Sequence, residues 1–83
     1  MKVKYVGETF YEGFGLTNNK VYDCISIDEE DQMLEVIDDE DEATLYPIKN
    51  PRPIDKSSKG GEWIIIEDVD GLLNKIFKKL NLL

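Results

Sequence analysis

The chain has 83 residues, of which 18 are acidic and 10 basic, and its formal net charge at pH 7 is −8. This length predicts one small domain, residues 1–83. The acidic balance disfavours binding to nucleic acids and to anionic membranes, because both require basic patches. The chain has a single cysteine, Cys24, so an internal disulfide is excluded, which fits a reducing cytoplasm. We expect Cys24 to act as a small buried apolar residue.

The charge is unevenly distributed along the chain. Residues 28–42 contain ten acidic residues and no basic residue, whereas the rest of the chain has eight acidic and ten basic residues. We therefore expect the acidity to lie on one face or edge of the molecule.

The amino-terminal segment predicts a first strand over residues 2–6, with Val3 and Tyr5 on one face. It has neither the apolar region nor the cleavage site of a signal peptide, and no apolar stretch reaches the length of a membrane span. A long irregular loop follows, in which Gly7, Gly13 and Gly15 alternate with aromatic residues.

Residues 16–48 predict an antiparallel meander, because three strand-length apolar segments alternate with two acidic connectors. The strands are expected over residues 20–27, 33–37 and 43–48. The first of these has imperfect alternation, so either both of its faces are covered or a bulge changes its register. Pro47 suits an edge strand or a strand end, since proline cannot donate to a ladder.

Residues 49–61 predict a loop, and residues 62–67 a fifth strand in which Trp63 is a core residue and both faces are buried. A helix is expected over about residues 70–82, with Asp68 and Asp70 placed to cap it. Its apolar stripe either covers the open side of the domain's own barrel or mediates a symmetric dimer. The stripe is formed by Leu72, Leu73, Ile76, Phe77, Leu80 and Leu83.

This order of elements resembles an SH3-like small barrel with an added C-terminal helix. The segment 16–22, LTNNKVY, resembles the one that closes the long SH3 loop, and Leu45-Tyr46-Pro47 resembles an aromatic-proline step. The chain is also similar to small uncharacterised proteins of Gram-positive bacteria and their mobile elements. That resemblance implies a mostly β fold of about five antiparallel strands over residues 2–67, and no established activity.

The resemblance also suggests where a protein partner would bind. Met33 stands where peptide-binding SH3 domains have tryptophan, so the groove-like positions that carry over are only Phe10, Tyr11, Tyr46 and Pro47. The aromatic residues of the loop and of the fourth strand could line a peptide groove, because such rings offer contact area, and tyrosine adds a polar tip. Alternatively, they only cover the mouth of the barrel. The candidate partner-binding residues are Phe10, Tyr11, Phe14, Tyr46 and Pro47.

Catalysis and metal binding find little support in the residues. The acidic connectors lack the spacing and the glycine of a calcium loop, no histidine is present, and carboxylates in turns are expected to be solvated. We therefore expect no cofactor, no metal and no enzymatic activity. The sequence predicts a cytoplasmic bacterial protein-interaction module, as a monomer or homodimer. The alternatives are an acidic mimic of nucleic acid and a structural subunit that docks through its C-terminal helix.

Overall fold

A computed structural model describes residues 1–11 and 14–83 as five antiparallel strands and a C-terminal helix. The strands join in one sheet in the order β4-β3-β2-β1-β5. They are β1 (Lys2–Gly7), β2 (Val21–Asp28), β3 (Met33–Ile37), β4 (Ala43–Pro47) and β5 (Gly61–Glu67). The mostly β fold class predicted from the sequence is confirmed, and the predicted strand bounds hold to within a residue.

Strand β2 belongs to both halves of the sheet. Its first part pairs with β1, where Val3 lies opposite Tyr22, and its second part pairs with β3, where Ile27 lies opposite Leu34. The register shifts between Cys24 and Ser26, which marks the bulge at Ile25 that the imperfect alternation allowed. A bulge bends its strand, so β2 can turn from one half-sheet into the other.

One face of the sheet forms the core. The side chains of Val3, Tyr5, Leu34 and Val36 have no exposed surface, in agreement with the predicted alternation. Trp63 lies among Tyr5, Tyr22 and Tyr46 with ring centroids 6.0–6.5 Å apart in edge-to-face geometry. Such aromatic pairs add to the stabilisation from burial alone.

The expectation that both faces of β5 are buried is wrong. Trp63 points into the core, but Ile64 and Ile66 on the other face are exposed. Strand β5 lies at the edge of the sheet, next to β1. A run of isoleucines therefore reflects strand preference there rather than two-sided burial.

The C-terminal segment forms a 3₁₀ turn (Val69–Gly71) and then α1 (Leu72–Lys79), a shorter helix than predicted. Leu73, Ile76 and Phe77 enter the core, whereas the predicted stripe residues Leu72 and Leu83 are exposed. None of the helices formed by residues 1–11 and 14–83 has the length and apolarity needed to cross a membrane.

Asp68 caps this segment. Its Oδ1 accepts a hydrogen bond from the Leu73 amide at 2.8 Å, and its Oδ2 accepts one from the Asn74 amide at 2.9 Å. Asp70, the other predicted cap, instead adopts a left-handed conformation with φ of 55°. Two of the N-terminal amide donors of α1 are thus satisfied by a side chain that precedes the 3₁₀ turn.

Candidate functional site

Nine of the ten acidic residues in segment 28–42 lie in or next to two separate turns, and Glu35 lies within β3, so they do not share one face or edge. One turn joins β2 to β3 and the other joins β3 to β4, so they lie at opposite ends of β3. A strand of five residues separates its ends by roughly 17 Å at about 3.4 Å per residue. The acidity is consequently divided between two loop tips.

Asp38 organises the β3–β4 turn from a buried position. Its Oδ1 accepts hydrogen bonds from the amides of Glu40 and Glu42, at 3.0 and 3.4 Å. Its Oδ2 accepts the Tyr46 hydroxyl at 2.8 Å. Burial and this hydrogen bond to Asp38 raise the pKa of Tyr46, so the hydroxyl remains a donor.

Asp39 ties the same turn to the segment before β2. Its Oδ1 accepts hydrogen bonds from Lys20 Nζ at 2.7 Å and the Tyr22 hydroxyl at 2.9 Å, while its Oδ2 accepts the Thr17 hydroxyl at 2.7 Å. Burial acts to raise the pKa of Asp39, but these three donors outweigh it and lower the pKa. The expectation that the acidic turns are solvated is therefore wrong for Asp38 and Asp39.

The candidate aromatic residues divide into two pairs. Phe10 packs edge-to-face on Tyr46, with ring centroids 6.0 Å apart, and also on Tyr5 at 5.7 Å. Tyr46 is buried, and Phe10 is half-buried against the core. This pair supports the fold and offers a partner little surface.

Tyr11 and Phe14 face each other at the tip of the long loop. The Phe14 amide donates to the Tyr11 carbonyl at 2.9 Å, and the two side chains are 57–58% exposed. Glu12 and Gly13, including the glycine that the sequence placed in this loop, lie outside the described residues.

The fifth candidate, Pro47, lines an apolar groove of roughly 370 Å³ on the outer side of β4. Leu45 and Ile54 expose their side chains there, Ile54 completely. Sequence reasoning placed Tyr46 and Pro47 at a binding surface but missed the other residues of the groove. The groove is lined by Met33, Thr44, Leu45, Tyr46, Pro47, Arg52, Pro53, Ile54 and Lys56.

The edge of β4 beside this groove carries free backbone groups. The Ile48 amide donates to the Gln32 carbonyl and the Asp38 amide to the Glu42 carbonyl, which fixes the alternation of the ladder between β3 and β4. Ala43 and Leu45 fall on the positions that point their N–H and C=O groups away from β3. In the part of the chain that the structure describes, the outward N–H and C=O groups of Ala43 and Leu45 have no backbone hydrogen-bond partner.

Pro47 is the next residue of β4 whose backbone faces away from β3, but it offers no free hydrogen-bonding group. Proline has no N–H, and the Pro47 carbonyl accepts a hydrogen bond from Trp63 Nε1 at 3.1 Å. The open part of the edge is therefore confined to Ala43–Leu45.

Opposite charges flank the open edge. The exposed acidic residues Glu40, Asp41 and Glu42 precede β4, and Lys49, Arg52 and Lys56 follow it with Asp55 as the one acidic residue among them. Arg52 and Lys56 line the groove itself. The surface is thus acidic at one end of β4 and basic at the other.

The remaining candidate chemistry is structural. Burial raises the pKa of the Cys24 thiol, which donates to the Ser26 carbonyl at 3.5 Å. A buried thiol with a raised pKa is a poor nucleophile at neutral pH. Within residues 1–11 and 14–83, no group of three or more cysteine, aspartate and glutamate side chains is arranged to hold a metal ion.

Comparisons with protein families, with curated proteins and with solved structures found no match for the chain.

Proposed function

We propose that this chain is a non-enzymatic protein-interaction module and that the groove along β4 is its contact surface. The observation that carries this proposal is the coincidence of an apolar groove with an unpaired strand edge at Ala43–Leu45. Partners that add to a sheet edge gain affinity from main-chain hydrogen bonds and selectivity from adjacent pockets. Both parts are present along β4.

The other two functions are less well supported. A mimic of nucleic acid needs regularly spaced acids on one face. Here all but one of the ten acidic residues of segment 28–42 lie at the two opposite ends of β3, and Asp38 and Asp39 bind within the domain. A docking helix needs a free apolar stripe, whereas α1 places Leu73, Ile76 and Phe77 in its own core.

The resemblance to small Gram-positive SH3-like proteins is part of the same proposal, as is a cytoplasmic location. The five-stranded antiparallel order supports the resemblance, and the lone buried Cys24 supports a reducing compartment. The absence of histidine and the structural use of Asp38 and Asp39 support a non-enzymatic role.

A pair of matched substitutions tests the groove as the contact surface. Leu45 and Ile66 are 47% and 49% exposed on different edge strands, so Leu45→Ser and Ile66→Ser remove similar apolar surface. Proteins captured from a bacterial extract by the immobilised chain would be purified and titrated into the ¹⁵N-labelled chain. We expect amide shifts along residues 43–47 and 52–56, lost in Leu45→Ser and retained in Ile66→Ser. Equal binding by both variants would overturn the proposal.

A further inference from the structure

We infer that the occupant of the β4 edge is a second copy of this chain, paired antiparallel about a two-fold axis. This inference rests on the proposed function, because it names the partner of the same surface. Its basis is the self-complementary charge pattern around β4 together with the short open edge.

The backbone restricts the register of such a pair. Only Ala43 and Leu45 offer both an N–H and a C=O on the outward side, since Pro47 lacks the N–H and its carbonyl is bonded to Trp63. When Ala43 lies opposite Leu45 of the second copy, the two residues exchange two N–H to C=O hydrogen bonds. The two-fold axis repeats this pair on its other side, so every outward N–H and C=O of Ala43 and Leu45 is paired. That register forms four hydrogen bonds between the copies.

The side chains fit the same register. Leu45 lies on the outer face of the sheet, and in this register its neighbour across the axis is the small Ala43. Thr44 meets Thr44 of the second copy directly on the axis, and opposed threonines are a favourable pair on a sheet. The exposed apolar surface at Leu45 would thereby be covered.

The flanking charges match only when the strands are antiparallel. The turn with Glu40 and Glu42 precedes β4, and the segment with Lys49, Arg52 and Lys56 follows it. The two-fold axis therefore brings the acidic end of each β4 alongside the basic end of the other. The net charge of −8 on each copy opposes association at long range, but salt at physiological strength screens it beyond about 8 Å.

The oligomeric state of the full chain tests this inference directly. We expect sedimentation equilibrium at physiological ionic strength to show a dimer at about 1 mM that dissociates on dilution. Leu45→Pro removes an N–H that β3 does not use, and it should weaken the dimer about tenfold or more. Leu45→Val keeps the N–H, the apolar side chain and the strand preference, and it should retain the dimer. A wild-type chain that stays monomeric would overturn the inference.

Charge exchange provides a second test that does not depend on proline being tolerated. Glu40→Lys with Glu42→Lys gives one variant, and Lys49→Glu, Arg52→Glu and Lys56→Glu give another. Each alone places like charges at both ends of the pair and should be monomeric, whereas an equimolar mixture should form a heterodimer. Variants that dimerise separately as well as the wild type does would overturn the inference.

The two proposals fail differently. A chain that is monomeric in both tests yet still binds another protein through Leu45 would keep the interaction module and overturn the second copy as its partner. A dimer that survives both Leu45→Pro and the charge reversals would place the interface elsewhere and overturn the inference.

Discussion

The indole of Trp63 donates a hydrogen bond of 3.1 Å to the carbonyl of Pro47, and so joins the two edge strands of the sheet. Strands β4 and β5 share no ladder in the described part of the chain. This contact therefore links the edges through a side chain, while the Trp63 ring packs against Tyr5, Tyr22 and Tyr46.

Trp63→Phe is expected to destabilise the fold by about 1–3 kcal/mol, because it removes the donor to Pro47 and part of the buried ring. Urea unfolding followed by circular dichroism measures the change. Ile64→Ala, on the exposed side of the same strand, is the control and should cost clearly less. Equal stability of Trp63→Phe and the wild type would show that this link contributes nothing.

Asp39 and its three donors, Lys20, Tyr22 and Thr17, form a cluster in which the two members of the Lys20–Asp39 ion pair should contribute unequally to the free energy of unfolding. Asp39 is 4% exposed and also accepts hydrogen bonds from Tyr22 and Thr17, whereas Lys20 is 54% exposed. Asp39→Ala leaves the two hydroxyls without their acceptor and should cost roughly 1–3 kcal/mol. Lys20→Met should cost less than about 1 kcal/mol, as exposed pairs do. Equal losses in urea unfolding would contradict the assignment of Asp39 as the centre of the cluster.

Stability should fall in acid because of this cluster. The folded chain lowers the pKa of Asp39, so the ionised form is favoured by folding. That contribution is present above the ordinary aspartate pKa of about 3.9 and is lost as the pH falls through the lower folded value. Urea midpoints measured from neutral pH to below pH of about 3 should drop in the acid range. The drop should be shallower in Asp39→Asn, and an identical acid profile would contradict the prediction.

Stability should also fall at alkaline pH, because folding raises the pKa of another residue, Tyr22. Burial, together with the hydrogen bond to Asp39 and the negative charge of Asp39, raises the pKa of Tyr22 to about 12. A raised pKa stabilises the folded chain below the ordinary tyrosine value of about 10, and this is lost as the pH rises towards the folded value. Tyrosinate absorbance and urea midpoints should show unfolding accompanying ionisation above pH of about 10. Tyr22→Phe should be less sensitive to alkali than the wild type.

The cap of α1 is open to a simple test. Burial acts to raise the pKa of Asp68, but hydrogen bonds from the Asn74 and Leu73 amides outweigh it and lower the pKa. Asp68→Ala removes these bonds and should destabilise the fold by about 1 kcal/mol. Asp70→Asn, which keeps a side chain tolerant of the left-handed backbone, should have little effect. Equal effects would argue against Asp68 as the cap.

Because Phe10 is packed on the core and Phe14 is exposed, replacing Phe10 should lower the free energy of unfolding more than replacing Phe14. Phe10 contacts Tyr5 and Tyr46, and a side chain at Gly15, where φ is 77°, would collide with its ring. Phe10→Ala should cost about 2 kcal/mol or more in urea unfolding, whereas Phe14→Ala should cost less than about 0.5 kcal/mol. The reverse order would contradict the observed packing.

The sequence predicted local structure better than the contacts between distant segments. The bounds of β3 were predicted correctly because turn-forming acidic segments flank a short apolar run on both sides. The roles of Asp38 and Asp39 were missed because their partners depend on tertiary structure. Asp39 binds Thr17 and Lys20 from another segment, and no local pattern distinguishes it from the exposed Asp41.

The groove was only half predicted for the same reason. Tyr46 and Pro47 were recognised as a strand end with an aromatic residue, but Pro53, Ile54 and Lys56 reach the site through a loop that folds back beside β4. Loop composition indicates irregular structure without indicating which surface the loop will contact. The exposed outer face of β5 was missed because isoleucines suit both edge and central strands.

The pairing of β1 with β5 has a consequence for synthesis of the chain. Lys2 lies opposite Glu67, so β1 pairs both with β2, the next strand in the chain, and with β5, which is synthesised after the other four strands. The meander of β2, β3 and β4 can form from neighbouring segments, whereas β1 cannot complete its ladder until β5 has emerged. Pairing at such a long sequence separation slows folding. During that interval, β2 is the only strand with which β1 can pair.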